Sequence, residues 1–239
     1  MSLYDFFDVI GLSRYTVNLR ENLISTVGGF LGIFCIFMSS QWLLDPDVAV
    51  LIVPSMGASA VLLFAAPHAP FSQPWNVICG HAVSAIIGVA CWRWIPDYVV
   101  AASASVGLSI GAMYLARCIH PPGGATALAA VIGSDKLHQL GFAYEYEPVM
   151  LNAVTILFVA IVFNGLFKWR RYPANLNVKT KASSAQAEHY EPIDHADFVY
   201  ALSQIDTFVD ISEQDLLRIY KLATGRHVEH PSSATTEDI

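Results

Sequence analysis

The chain has 239 residues, of which 54% are hydrophobic and only 14% carry a charged side chain. Soluble domains carry about 25% charged residues, so this composition excludes an ordinary soluble domain and indicates several membrane-spanning helices. The formal net charge is −7, and because no basic stripe runs along the chain we expect no nucleic-acid partner.

The N-terminus and the cysteines exclude further classes of protein. Residues 4–10 contain two aspartates and no small-residue cleavage site follows, so we expect no signal peptide. The four cysteines lie far apart without a CxxC pair, which predicts buried apolar residues and neither a disulfide nor a zinc site. Since HxxxH, HExxH and paired-carboxylate motifs are also absent from the sequence, we expect no metal, no cofactor and no enzyme activity.

A short arm opens the chain, and apolar segments follow it. Residues 1–21 mix aromatic and aliphatic side chains with arginines, which predicts an amphipathic arm on the membrane surface; an ordinary N-terminal arm fits the same pattern. Each long apolar segment has about the twenty residues that a helix needs to cross a bilayer. The predicted spans are 23–44, 48–66, 75–94, 99–119 and 148–169, and a shorter apolar segment follows the fourth span at 120–133.

Cations flank the first and the last predicted span. Arg14 and Arg20 precede the first, and residues 168–171 contribute three more after the last. Because Lys and Arg favour the cytoplasmic side, we expect both ends of the membrane domain there, which requires an even number of crossings. The segment 120–133 then makes six crossings; if it were re-entrant, the number would be odd. Arg93 on the outer side counts against this topology.

Proline and glycine interrupt two of the segments, and the interruptions match each other. Residues 54–60 (PSMGASA) and 121–127 (PPGGATA) share the pattern Pro-x-x-Gly-Ala-Ser/Thr-Ala. Farther along, residues 81–84 (HAVS) match residues 152–155 (NAVT) in the same order. The two matches predict an internal repeat in which each unit contains one broken helix.

The repeat predicts two units of three segments, at about 22–94 and 99–169. Three crossings per unit turn the second unit upside down relative to the first, and such inverted repeats are typical of transporters. The predicted fold is therefore an all-α, polytopic membrane bundle of two inverted three-segment repeats with broken helices. A short soluble helical tail follows this bundle.

A helix that begins inside a membrane domain can bind a small anion. Its first N–H groups have no helical partner and carry about half a positive charge. Glycines would let those amides approach the ion, and nearby hydroxyls, histidines and an asparagine would add donors. The predicted substrate-binding residues are Pro54, Ser55, Met56, Gly57, Ala58, Ser59, His81, His120, Pro121, Pro122, Gly123, Gly124, Ala125, Thr126 and Asn152.

The predicted spans contain no Asp or Glu, whereas a cation carrier usually places a carboxylate at mid-depth. This absence favours an anion or a neutral solute. Other roles stay open for single residues. The hydroxyls could cap the broken helices, His81 could bond a backbone carbonyl, His120 could cap the fourth span or titrate as a gate, and Arg117 could reach toward the membrane surface.

The run His-Pro-Pro-Gly-Gly-Ala-Thr-Ala at 120–127 resembles the signature of the HPP family of integral membrane proteins. Residues 54–60 and 73–81 resemble other characteristic stretches of that family, and the resemblance covers about residues 20–170. It implies a membrane domain that is usually described with four helices; the count here is higher because it includes the broken segments.

The resemblance also implies a substrate class. Chloroplast and cyanobacterial members of the family are associated with nitrite transport, and most bacterial members have no assigned substrate. We therefore expect nitrite, or a similar small anion, as the substrate. We expect a multi-pass protein of the bacterial cytoplasmic (inner) membrane, with both termini in the cytoplasm.

The C-terminal part differs in composition from the membrane domain, predicted at 22–172. Residues 173–192 predict a polar linker, 193–225 two short helices of a cytoplasmic tail, and 226–239 a disordered end. Two helices of this size cannot bury a core of their own, so we expect them to dock on the membrane domain or to mediate homo-oligomerisation. The alternative to transport is a membrane sensor or assembly subunit whose output is this tail.

Overall fold

The computed structural model describes residues 18–43 and 53–174, and every regular element within these ranges is helical. The expectations for residues 1–17 of the arm and for 175–239, which hold most of the linker and the predicted tail, lie outside the described residues. The elements are α1 (Leu19–Leu43), α2 (Val53–Ala65), a 3-10 turn (Pro70–Ser72), α3 (Pro74–Trp94), α4 (Tyr98–Leu115), α5 (Pro122–Ile132), α6 (Asp135–Leu140), a π-helical turn (Glu145–Met150) that continues into α7 (Leu151–Gly165), and a 3-10 turn (Lys168–Arg170).

Four of these helical segments are long and apolar enough to cross a membrane: α1, α3, α4 and the continuous segment Glu145–Gly165. Helices α2 and α5, which contain the two matched interruptions, have 13 and 11 residues. At 1.5 Å per residue they are about 20 and 17 Å long, well short of the roughly 30 Å of a hydrocarbon core. The prediction of an all-α, multi-pass membrane bundle is thus confirmed, and both broken segments form short helices.

The first and last long helices run antiparallel. Glu21 at the start of α1 forms a salt bridge with Arg170, which follows α7. Farther along, Gly28 lies against Phe163, and Ser40 near the end of α1 bonds Asn152 at the start of α7. The start of α1 and the end of α7 therefore lie on one side of the domain, here called the first face; the opposite side is the second face.

The remaining helices alternate between these faces. The end of α2 returns to the first face, because Phe64 packs on Gly28 and Gly32 of α1. The start of α3 and the end of α4 meet there too, since Asn76 donates to the carbonyl of Ile119 over 2.8 Å. Helix α5 then runs in the same direction as α3. The described chain changes face six times, with three passes in each unit and opposite senses in the two units.

Small residues let α3 and α5 lie close together. Gly80 and Gly88 of α3 face the break before α5 and α5 itself, and a Cβ on Gly88 would lie 2.5 Å from the carbonyl oxygen of Ala127. Gly123 lies against Ser84 and the Gly80 carbonyl. Such small-residue contacts drive packing between membrane helices, where lipid removes most of the hydrophobic contribution. The close approach brings the second break directly against α3.

The apolar core lies where α1, α2, α3 and α7 meet, around Ile36, Leu63, Phe64, Val77 and Ile156, all of which are almost fully buried. The short helix α2 is held in this core both by its buried side chains and by hydrogen bonds at its C-terminal end. Its last carbonyls accept hydrogen bonds from other parts of the chain, which is necessary because lipid offers no alternative partner.

Two boundaries differ from the sequence prediction. Helix α1 begins at Leu19, before the predicted start of the first span at residue 23, so Glu21 lies in its first turn and not in the preceding arm. The predicted polar loop at 134–147 contains α6 and the start of the π-helical turn. Polar composition alone predicts a loop at 134–147, and the arm was predicted to extend to residue 21, but Ser134 caps α6 and Glu21 has Arg170 as a partner.

Candidate functional site at the junction of the short helices

Four buried polar side chains meet where α2, α3 and α5 come together. They are Ser59 of α2, His81 of α3, His120 in the break before α5, and Thr126 of α5, and the exposure of each is 0%. We call this cluster the polar junction. All four were predicted as site residues, and the fold brings them into direct contact.

The contacts form a chain of hydrogen bonds, with longer side contacts from Ser59 Oγ to the Ser55 carbonyl (3.2 Å) and from Thr126 Oγ1 to the Pro122 carbonyl (3.5 Å). Ser59 Oγ lies 2.9 Å from Nε2 of His81 and 2.9 Å from Nε2 of His120. His81 Nδ1 lies 2.7 Å from Thr126 Oγ1, and His120 Nδ1 lies 2.9 Å from the carbonyl oxygen of Phe71. The two imidazole rings pack edge to face with their centroids 4.8 Å apart.

The repeat explains why two hydroxyls reach the same histidine. Ser59 and Thr126 occupy the matching position in the two interruptions, 54–60 and 121–127. They contact opposite ring nitrogens of His81. His81 therefore links the short helix of one unit to the short helix of the other, and the junction lies at the interface between the two units.

The wall around the junction includes residues that the sequence analysis missed. Tyr144, fully buried, donates its hydroxyl to the carbonyl of Thr126 over 3.0 Å. Phe71 contributes only its backbone oxygen. Neither role has a signal in the sequence, because Tyr144 lies in the segment predicted as a polar loop and a carbonyl contact does not depend on residue type.

Asn152, also predicted as a site residue, lies apart from the junction. Its Oδ1 accepts a hydrogen bond of 2.7 Å from Ser40 Oγ on α1. The side chain is fully buried, and its Nδ2 has no hydrogen-bond partner among the described residues. The α1–α2 and α1–α7 pairings place this amide at about the depth of the first turn of α2.

The backbone amides of Gly123 and Gly124 are already hydrogen-bonded. Gly123 N–H donates to the His120 carbonyl at 2.8 Å, and Gly124 N–H to that of Pro121 at 3.1 Å. Pro121 and Pro122 have no N–H. The predicted contact between these amides and an anion would therefore have to replace bonds that close the turn.

The other predicted residues divide by helix face. Ser55, Met56 and Pro122 are buried with the junction residues, and Gly57 and Gly124 are partly covered. Four members of the predicted set lie on exposed faces of their segments, so they do not line a common internal site: Pro54, Ala58, Pro121 and Ala125.

Permanent charge is kept away from the junction. Among the buried side chains of the described residues, Arg170 is the one with a permanent charge, and it bonds Glu21, Asn164 and the Phe64 carbonyl at the first face. Arg117 at the end of α4 is exposed, as expected for a side chain that reaches the membrane surface. The junction thus presents imidazoles and hydroxyls without a buried carboxylate.

Comparison with known proteins places these features in one family. The family model described as "HPP, transmembrane region" matches residues 14–173. Two proteins of Dictyostelium discoideum, named only as transmembrane proteins, are similar. One is 35% identical over 165 residues (67% of this chain and 53% of that protein), and the other 40% over 134 residues (54% and 46%). The chain spans about half the length of these relatives, and no solved structure matches.

Proposed function

Because the chain belongs to the HPP family of membrane proteins, we propose that it carries a small inorganic anion across the membrane. Nitrite is the first candidate, since the resemblance of residues 120–127 to the family signature implies it. The described helices make the chain a multi-pass membrane protein.

The observation that carries this proposal is the polar junction between two inverted units. In transporters built from inverted repeats, the site lies near mid-depth between the repeats, where helices are interrupted. Here the two short helices supply Ser59 and Thr126, and both contact His81. Buried polar groups of this kind are costly inside a membrane, which favours a functional role over simple packing.

The chemistry of the junction favours an anion over a metal cation. Hydroxyls and protonated imidazoles donate hydrogen bonds to an anion, whereas hard cations such as Ca²⁺ and Mg²⁺ prefer carboxylate oxygens. A transition metal would use the imidazoles, but the described residues hold no cluster of three His, Cys, Asp or Glu side chains. The buried Nδ2 of Asn152 is a further donor without an acceptor among the described residues. These donors lie on α2, α3, α5 and α7, so an anion that passes between the two units could contact both.

The cations of the described residues suggest the orientation. Two of them, Arg93 and Lys136, lie at the second face, and five lie at the first face: Arg20, Arg117, Lys168, Arg170 and Arg171. Because Lys and Arg favour the cytoplasmic side, the first face is then cytoplasmic. A bacterial inner membrane, homo-oligomerisation and the absence of enzyme activity stay predictions.

Nitrite uptake into liposomes that contain the purified protein tests the proposal. We expect saturable uptake that the Ser59→Ala variant reduces by about 10- to 100-fold, because loss of one partner from a buried hydrogen bond costs about 1–3 kcal/mol. Ser109→Ala is the matched control: Ser109 is equally buried, but its hydroxyl bonds the Ser105 carbonyl of its own helix.

Nitrate, formate and chloride as competitors would define the selectivity. Uptake that is the same in Ser59→Ala and Ser109→Ala would remove the junction from the transport path. Absence of flux for every anion, from protein that is folded in the liposome, would contradict transport and favour the sensor alternative.

A further inference from the structure

We propose that the polar junction is a proton relay, and that each anion crosses the membrane together with a proton held by the His81–His120 pair. This inference rests on the proposed anion transport for its coupling step. The relay itself rests only on the hydrogen-bond geometry.

The Phe71 carbonyl sets the direction of the hydrogen-bond chain. A carbonyl oxygen only accepts, so His120 Nδ1 must carry a hydrogen, and in the neutral ring His120 Nε2 is then an acceptor. Ser59 donates its single hydrogen to that Nε2 at 2.9 Å in preference to the Ser55 carbonyl at 3.2 Å, because the buried Nε2 has no other donor, and it accepts from His81 Nε2–H. His81 Nδ1 accepts in turn from the hydroxyl of Thr126. With both histidines neutral, each of these four contacts has one hydrogen.

One extra proton can occupy either histidine without breaking the chain. With the proton on His81, Nδ1–H donates to Thr126 Oγ1, and the Thr126 hydroxyl turns toward the Pro122 carbonyl, 3.5 Å away. Transfer then requires two movements: the Nε2 proton of His81 passes to Ser59 Oγ, and the Ser59 proton passes to Nε2 of His120. His81 is left neutral with its hydrogen on Nδ1, His120 carries both hydrogens, and Ser59 is again a neutral hydroxyl.

The transfer crosses the interface between the repeat units. Ser59 and His81 belong to the first unit, whereas His120 and Thr126 belong to the second. A proton on His81 is held by the first unit, and the same proton on His120 is held by the second. A relative movement of the units that separates Ser59 from His120 would interrupt the relay, so proton transfer and opening of the interface are mechanically linked.

A proton on this pair needs a counter-ion that the described residues do not supply. The neighbouring titratable groups are the Tyr144 phenol, whose hydroxyl bonds the Thr126 carbonyl, and the Cys118 thiol, which contacts Cys79. No buried carboxylate or lysine occurs in the described elements packed around the pair, and the buried Arg170 bonds Glu21 at the first face.

An isolated buried charge is strongly unfavourable, and a bound anion next to the imidazolium would relieve this cost. By linkage, the anion must then favour proton binding to the same extent that the proton favours anion binding. This reciprocity predicts transport of the anion and the proton in the same direction.

Proton flux measured during nitrite uptake tests the coupling. In liposomes with a pH-sensitive dye inside, we expect one proton to enter with each nitrite, and we expect uptake to rise as the external pH is lowered. His81→Gln and His120→Gln keep hydrogen-bonding side chains that do not titrate, so both should lose the nitrite-dependent proton flux. His138→Gln is the control, since His138 stacks on Trp92 and bonds the Val131 carbonyl outside the junction.

The outcomes separate the relay from the transport proposal. Nitrite uptake without proton movement, or with the same proton movement in His120→Gln as in the wild type, would overturn the relay and leave anion transport intact. Absence of both fluxes in the wild type would overturn anion transport and the coupling together.

Nitrogen-15 NMR of the histidine side chains tests the relay without a substrate. We expect opposite tautomers in the neutral junction, with hydrogen on Nε2 of His81 and on Nδ1 of His120. In Ser59→Ala the two rings should titrate independently of each other. The same tautomer on both rings, or hydrogen on Nε2 of neutral His120, would overturn the proposed proton order.

Discussion

Gly123 and Gly124 are neighbours in the second break, yet only one of them is packed tightly against another helix. A Cβ on Gly123 would lie 2.7 Å from Ser84 Oγ and 2.9 Å from the backbone oxygen of Gly80. A Cβ on Gly124 would find Val106 at an ordinary 3.8 Å, and one on Gly57 would meet nothing within 4 Å. Of these two neighbours, Gly123 is therefore the one whose lack of a side chain lets α5 approach α3 closely.

We expect Gly123→Ala to lower the stability of the protein in detergent by about 1–3 kcal/mol, because the backbone of α3 cannot move aside as a flexible side chain would. Gly124→Ala should be neutral or slightly stabilising, since alanine favours helix by up to about 1 kcal/mol over glycine. Thermal unfolding of the two variants side by side is the measurement. Equal melting temperatures would contradict the assigned difference.

The sequence predicted the residues of the junction better than it predicted their roles. Proline, glycine and the repeat drew attention to Ser59, His81, His120 and Thr126, and those four meet. The expected donors, however, were the amides of the break, and the turn already uses them. Which amides are free depends on how the chain folds back on itself, and a local pattern does not contain that information.

At the scale of elements, the end of α2 shows how a short helix can stop inside a membrane domain. Ser72 Oγ donates to the carbonyls of Leu62 (3.1 Å) and Ala66 (2.8 Å). Asn164 Nδ2 donates to the Leu63 carbonyl at 3.1 Å, and Arg170 donates to that of Phe64. The Leu63 and Phe64 carbonyls, which the next turn of a longer helix would have bonded, thus receive side-chain donors from elsewhere. Ser72 shares its single hydrogen between two carbonyls that also accept from the N–H groups of Ala66 and Ala69.

We expect Ser72→Ala to reduce the free energy of unfolding by about 0.5–1.5 kcal/mol, the net worth of a typical hydrogen bond, since the Leu62 and Ala66 carbonyls keep their backbone donors, the N–H groups of Ala66 and Ala69. Thermal unfolding in detergent, compared with Ser105→Ala, measures the effect; Ser105 bonds the Ala102 carbonyl within its own helix. A melting temperature for Ser72→Ala that matches the control would show that the Ser72 hydroxyl adds no more to the end of α2 than a hydrogen bond within one helix does.

Helix α4 ends in a different backbone conformation. Arg117 has a positive φ of 53°, and the amide of Cys118 reaches back to the Met113 carbonyl over 2.9 Å. This is the left-handed helix ending that usually contains glycine. No local sequence signal marks this ending, because an arginine at that position predicts only a membrane-surface cation. Proline and glycine mark interruptions clearly, whereas endings made by other residues depend on the fold.

At the scale of the whole molecule, the clasp between Glu21 and Arg170 joins the first helix to the end of the last. Arg170 is 3% exposed and also bonds Asn164 and the end of α2, so one side chain connects three helices. Next to it, the Arg20 guanidinium lies 4.1 Å from the ring centroid of Trp169. The sequence predicted Arg170 only as a charge that stops the last span.

We expect Arg170→Gln to destabilise the membrane domain by about 2–4 kcal/mol, because the partly buried Glu21 loses its charged partner and keeps only the Trp169 N–H, and the Phe64 carbonyl loses its side-chain donor. Lys168→Gln is the control, since Lys168 is exposed on the same turn. The yield of folded protein and its melting temperature in detergent are the readouts. Equal behaviour of the two variants would show that the clasp does not stabilise the fold.

The overall architecture was largely predictable, because the lengths of the apolar segments, the matched interruptions and the positions of the cations can all be identified from short stretches of sequence. The partners across the bundle were not, as Arg170 and Tyr144 show. Both residues gain their roles from helices distant in sequence, and each would look ordinary in its own segment.

The clasp also holds the two ends of the membrane domain next to each other. A polypeptide that starts beside Glu21 runs through four helices long enough to cross the membrane and two short ones, and returns to Arg170, next to its starting point. A circularly permuted gene could therefore join these two ends by a short linker and open the chain at Ile95–Asp97, between α3 and α4. Each three-helix unit would stay intact, but the order in which the ribosome delivers the two units to the membrane would be reversed.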